Sequence, residues 1–124
     1  MQSVNVSEVN GLTLDWLVAK CENHAPFSDG ISWITVLNGK HVQLPKFSTD
    51  WALAGPIIER ENLNVERSNM FDGWFASQQR HTYAADSRRF YADGPTPLIA
   101  AMRCYVISKL GDTATVPAEL IANK

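Results

Sequence analysis

The chain has 124 residues, 45% hydrophobic and 19% charged, with four tryptophans and a formal charge of -2. A chain of this length buries a core without staples, and this composition excludes intrinsic disorder. The slightly acidic balance excludes a global attraction to nucleic acid or an anionic membrane, and no apolar run approaches the roughly 20 residues of a membrane span.

Met1 to Asn10 carries no basic run followed by an apolar core, so a cytoplasmic protein is expected. Leu12 to Cys21 reads as a first helix, with Leu14, Leu17, Val18 and Cys21 on one stripe. His24, Pro26, Ser28, Asp29 and Gly30 then make a loop. Ser32 to Leu37 and Lys40 to Leu44 are β-prone runs joined by Asn38-Gly39, the preferred pair for a type I′ hairpin. Pro45 ends the second strand, and Ser48-Thr49-Asp50 offers N-cap chemistry to a helical segment from Trp51 towards Glu61. Gly55-Pro56 is expected to break that segment into two pieces with a bend near Ala54. Strands follow at Leu63 to Arg67 and Trp74 to Gln79, with a short edge strand at Arg88 to Ala92.

The clearest element is the last long helix. Thr96 caps it, Pro97 fits its first position, and Lys109 with Gly111 supplies a last-turn cation and a stop. Thr115 to Leu120 adds one more turn. The order helix, hairpin, helix, strands, helix predicts an α+β fold, an antiparallel sheet of three to five strands with helices packed on one face. With no linker or repeat, residues 1–124 form a single globular domain in this reading.

Motifs for chemistry are absent. Three histidines and two cysteines lack metal-ligand spacing, so neither metal nor cofactor is expected, and Cys21 and Cys104 read as buried reduced thiols. No serine lies in an elbow motif, no Gly-rich phosphate loop exists, and Glu59 and Glu61 point different ways on a helix. What remains suits binding. Asp93-Gly94-Pro95-Thr96 brings backbone N–H groups and a hydroxyl to a helix start, an anion site whose plain alternative is simple capping. Arg60 and Arg103 are cations outside any solvated charge run, with pairing to Glu59, Glu61 or Glu66 as the plain alternative. Trp33, Trp51 and Trp74 supply either a stacking face for a base or core. Arg80, Arg88 and Arg89, interleaved with Tyr83, Phe90 and Tyr91, make the one basic and aromatic segment; a solvated hairpin is favoured there over a nucleic-acid patch.

Asp50-Trp51, followed by Gly55-Pro56-Ile57-Ile58-Glu59-Arg60-Glu61, and then Thr96-Pro97-Leu98-Ile99-Ala100-Ala101-Met102-Arg103 closing on Lys109-Leu110-Gly111-Asp112, together resemble the NinX-like family of small tailed-phage or prophage accessory proteins. Leu14-Asp15-Trp16-Leu17-Val18-Ala19-Lys20 is similar to that family's opening helix. The resemblance spans nearly the whole chain and is weakest at residues 27–46 and 77–91. It implies a phage origin and action in the cytoplasm of a bacterial host, and no particular activity.

The expected function is therefore non-enzymatic: capture of a small anionic, nucleotide-like ligand by Trp51, Arg60, Trp74, Thr96 and Arg103. With the phage resemblance, sequestration of a bacterial immune signalling nucleotide is the role inferred. The alternative is a protein-interaction module acting on a host or phage protein, and a weaker one a nucleic-acid-binding protein. A homodimer or higher homo-oligomer is compatible with the first two.

Overall fold

The structure, a computed structural model, describes residues 1–81 and 87–122. Four α-helices are described, α1 (Gly11–Cys21), α2 (Trp51–Arg60), α3 (Pro97–Leu110) and α4 (Ala118–Ala122). The strands are β1 (Gln2–Asn5), β2 (Phe27–Ser28), β3 (Trp33–Leu37), β4 (Lys40–Gln43), β5 (Asn64–Arg67), β6 (Trp74–His81), β7 (Ser87–Gly94) and β8 (Thr113–Val116), and a 3-10 turn covers Val6–Glu8. The class is α+β, as expected.

α3 is the element around which the rest is arranged. The Thr96 hydroxyl accepts from the Ile99 N–H at 3.1 Å, Pro97 stands at the first position, and Gly111 ends the helix at φ 94°. Ala100 to Ile107 are buried without interruption, so the helix is covered all round rather than along one stripe. The β5–β6–β7 sheet packs on it, α1 and the 3-10 turn lie against it elsewhere, and α2 and β8 touch it too. Gly94 makes the closest sheet-to-helix approach possible: a Cβ there would stand 2.9 Å from the Ala100 nitrogen. Around α3 gathers one apolar cluster, with Leu14 and Leu17 from α1, Ile57 from α2, Ala76 from β6 and Val116 from β8.

Among the described residues the strands divide into three antiparallel sheets, β1–β8, β2–β3–β4 and β5–β6–β7, where the sequence suggested one. The β3–β4 hairpin turns at Asn38 and Gly39, both at positive φ (52° and 79°), as the type I′ geometry requires. β7 is the expected edge strand but runs eight residues, in register with β6 from Trp74↔Gly94 to His81↔Ser87. β1, β2 and β8 were not foreseen. β1 pairs with β8, Gln2 facing Val116, a contact across almost the whole chain.

The expected break at Gly55-Pro56 does not occur, for α2 is one helix with Pro56 inside it. Proline removes the bond its N–H would make to the Ala52 carbonyl and clashes with the Cβ of the residue before it. Gly55 has no Cβ, which relieves the second problem and leaves the lost hydrogen bond and the crowding of the Ala52 carbonyl by the proline ring. Asp50 caps the helix, its Oδ1 accepting from the Ala52 N–H at 2.9 Å.

Candidate functional site

The segment Lys46–Asp50 lies where the starts of three long helices gather. It is a tight turn, with the Thr49 and Asp50 N–H groups donating to the Lys46 carbonyl at 3.1 and 3.0 Å. It is pinned to α1 by a buried bond, since the Ser48 N–H donates to Asp15 Oδ1 at 2.8 Å. Burial pushes the Asp15 carboxyl above the ordinary carboxylate range, against the opposing pull of Ser48 and Lys46. Ser48 is only 2% exposed, and its hydroxyl is closed to solvent, its side chain helping with the backbone N–H to hold the Asp15 pKa down.

On one side of this segment lies a cavity of about 610 Å³, reached by the start of α1 at Gly11 and Leu12 and walled by Trp33, Lys46, Asp15 and Ser48. Its volume falls in the range of small-molecule sites. Asn10, the residue before α1, makes no side-chain cap, so the first N–H groups of that helix remain for a ligand. The outer wall is a loop held by Asp29, whose Oδ1 accepts from Ile31 and Ser32 at 2.8 and 2.7 Å. Those bonds to backbone N–H groups lower the Asp29 pKa.

On the other side Ser48 and Thr49 also line a smaller cavity, about 220 Å³, together with Trp51, Thr96, Pro97 and Ile99. Trp51 is 56% exposed there. The starts of α2 and α3 thus meet, bringing together two of the five residues singled out from sequence. The Thr96 hydroxyl is already engaged as the cap of α3. Chemically, the two cavities together are lined by one lysine cation, one buried carboxyl, five hydroxyl side chains and two indole rings, beside backbone donors.

The other three sequence candidates lie elsewhere. Arg60 forks onto Glu22, with Nη1 and Nη2 donating at 3.1 and 2.6 Å, while Nε donates to Glu61 at 3.0 Å. Nη2 also donates to the Tyr105 hydroxyl at 3.2 Å. Of the glutamates weighed as partners Glu61 is the one observed, Glu22 was not among them, and the two together hold the Arg60 pKa up. Burial raises the Glu22 carboxyl, but the Arg60 and Tyr105 hydrogen bonds outweigh it and leave the net pKa below normal. Arg103 is 7% exposed and spans two main-chain carbonyls, Nε donating to Val9 at 2.7 Å and Nη1 to Asp93 at 2.8 Å. Burial lowers its pKa, with Asp93 and Glu8 opposing. Arg60 and Arg103 thus belong to separate clusters, and removing Arg103 disturbs the fold rather than a pocket. Trp74 is half-buried on β6, with the Arg67 guanidinium 5.6 Å from its ring centre.

In the basic and aromatic segment, Arg89 stands 5.6 Å from the Tyr91 ring, and Tyr91 tilts against Phe75 at 5.7 Å. Tyr83 and the side chains of Arg80 and Arg88 lie outside the described residues. Cys21 and Cys104 are free thiols, and burial pushes both up to about 12, far from a reactive thiolate. Among the described residues no group of three potential ligands stands ready for a metal, and no helix is long and apolar enough to cross a membrane.

Sequence reasoning missed Lys46, Ser48 and Asp15. One signal for Asp15 was available: an acid at 5% exposure between Leu14 and Trp16, where the helix face is otherwise apolar. A comparison with curated proteins found no match. A protein-family model described as Bacteriophage P22, NinX matches residues 5–109.

Proposed function

Since the chain belongs to the NinX family of bacteriophage P22 and is consistent with a phage accessory protein, we propose that it binds a small anionic, nucleotide-like ligand and releases it unchanged. The observation that carries this reading is the start of α1, without a side-chain cap, opening into a cavity of about 610 Å³ beside Lys46 and Trp33. An oxyanion takes the free N–H groups and the lysine, and a flat ring rests on the indole. Trp51 and Thr96 border the adjoining cleft and extend the surface available to a larger ligand. Held in the host cytoplasm, such a ligand is withdrawn from use, and the role that fits a phage is sequestration of a signalling nucleotide of bacterial immunity.

The test is a thermal-shift screen against AMP, ADP, ADP-ribose and cyclic and linear dinucleotides, with mass spectrometry of the recovered compound. A binder at about 100 times its Kd adds roughly 2.7 kcal/mol of stability, several degrees in Tm. Lys46 is exposed and makes no ion pair within 4 Å among the described residues, its pull on Asp15 being the smallest of the causes there, so Lys46→Ala should lower the unliganded Tm only slightly and weaken binding about tenfold. Equal affinity in that variant removes the site from this cavity, and a chemically altered ligand makes the protein an enzyme.

A second reading rests on Met70 and Ile31, each 94% exposed on a loop. Large apolar side chains held in water are what a protein-interaction module offers a host or phage partner, or a second copy. Capture of one partner by the wild type and not by a Met70→Ser, Ile31→Ser variant is its test.

A further inference from the structure

Among the described residues, Asp15 is the one acid in the wall of the cavity beside Lys46, and it stands on the same side of α1 as Gly11, four residues before it. It is only 5% exposed, and its hydrogen-bond partners among the described residues all belong to Ser48: the N–H, 2.8 Å from Oδ1, and the hydroxyl nearby. An ionised carboxylate accepts about four hydrogen bonds, so about two places on Asp15 stay empty. Oδ2 is within a ligand's reach. The buried polar atoms shut off without a partner are others, the Ser48 hydroxyl among them, whereas Oδ2 keeps accessible surface in the cavity wall.

A carboxylate repels the phosphate that the start of α1 and Lys46 attract, so it serves a different part of the ligand, one that carries donors and no negative charge. A nucleobase is such a part, and the half-buried Trp33 in the same wall offers it a stacking face. Adenine and cytosine each set an amino donor beside a ring-nitrogen acceptor, and uracil sets one N–H between two carbonyls. Guanine alone sets two donors side by side, N1–H and the 2-amino group, and a carboxylate with two empty places and no donor of its own accepts both. Two such donors also favour the charged form of Asp15, which burial disfavours. We propose that the ligand of this cavity is a guanine nucleotide, its base read by Asp15 and its phosphate held at the start of α1. The inference rests on the nucleotide-binding role proposed for the same cavity.

Calorimetric titration of the full chain with GMP, AMP and XMP is the test. The wild type should bind GMP at least about tenfold more tightly than AMP or XMP, the discrimination of one bidentate base contact. Asp15→Asn keeps an oxygen for the Ser48 N–H and turns an amide donor to the cavity in place of Oδ2, which opposes the 2-amino group of guanine and suits the 2-carbonyl of xanthine. That variant should bind XMP more tightly than GMP. Where it fails to fold, IMP tests the same contact on the native chain: it lacks the amino group and should bind about tenfold more weakly than GMP. A preference for GMP over XMP that survives Asp15→Asn overturns the proposal, and so does equal binding of GMP and IMP. If GMP, AMP and XMP bind equally and Lys46→Ala weakens all three, the assignment of guanine falls while the cavity keeps its role. If none of them binds, both fall.

Discussion

Arg103 donates from within the core to the carbonyls of Val9 and Asp93, and so ties the chain before α1 to the end of β7. Truncation leaves two carbonyls unsatisfied and a void beside α3. Arg103→Ala should therefore destabilise by about 2–4 kcal/mol, read as a lowered denaturation midpoint. Arg103→Lys should recover little, because one ammonium cannot reproduce the fork. A stable Arg103→Ala variant with altered ligand affinity would return the residue to a binding role. Asp15 presents the opposite case. Its pKa is raised in the fold, so ionisation costs stability once the pH exceeds that folded value, and the cost disappears as pH falls through it. Asp15→Asn keeps an oxygen to accept from the Ser48 N–H and cannot ionise. Its Tm should exceed that of the wild type at pH 7, and the two should converge under acid conditions; a lower Tm at pH 7 would mean that the charge itself serves the fold.

Among the elements, those specified by local chemistry were legible in the sequence. Thr96, Pro97 and Gly111 define α3 from within, and Asn38-Gly39 defines the β3–β4 turn, because caps and positive φ belong to single residues. The β1–β8 ribbon was not legible, since Gln2 and Val116 carry no mark of one another and their pairing joins nearly opposite ends of the chain. α2 was misread for a local reason: Gly55 and Pro56 are each helix breakers, but together the glycine removes one of the clashes the proline creates, that with the Cβ before it. This makes the pair non-additive. An Ala Cβ at position 55 meets nothing within 4 Å apart from the adjoining residues of the chain. Gly55→Ala should stabilise by about 1 kcal/mol in a Pro56→Ala background and by clearly less, or not at all, beside the native proline. Equal gains in the two backgrounds, measured by denaturant titration, would refute this account of why the helix continues.

At the scale of the molecule, a polar cluster joins the ends of three helices. Glu22 follows α1, Arg60 and Glu61 end α2, and Tyr105 and Lys109 belong to α3, with Lys109 Nζ 3.7 Å from Glu61. The candidate cavities gather the starts of the same three helices, and this is why the site was only partly legible. Arg60 and Arg103 stand out in a one-dimensional reading as cations among apolar neighbours, but the fold uses them as fasteners. Lys46 and Ser48 look like ordinary loop residues until the loop is placed beside α1. The cluster also sets the response to acid. Glu22 and Glu61 have lowered pKa values in the fold, so each contributes stability at pH above the ordinary glutamate value and loses it as pH falls through the folded one. Asp29 acts in the same sense and Asp15 in the reverse, which leaves the acid limb of the stability curve, among the described residues, a difference between Glu22, Glu61 and Asp29 on one side and Asp15 on the other. Glu22→Gln should lower Tm at pH 7 and flatten the decline as pH falls from the ordinary glutamate value of 4.5 through the lowered one. An unflattened decline in that variant would move the acid sensitivity away from the Arg60 cluster, to carboxylates outside the junction of the three helices.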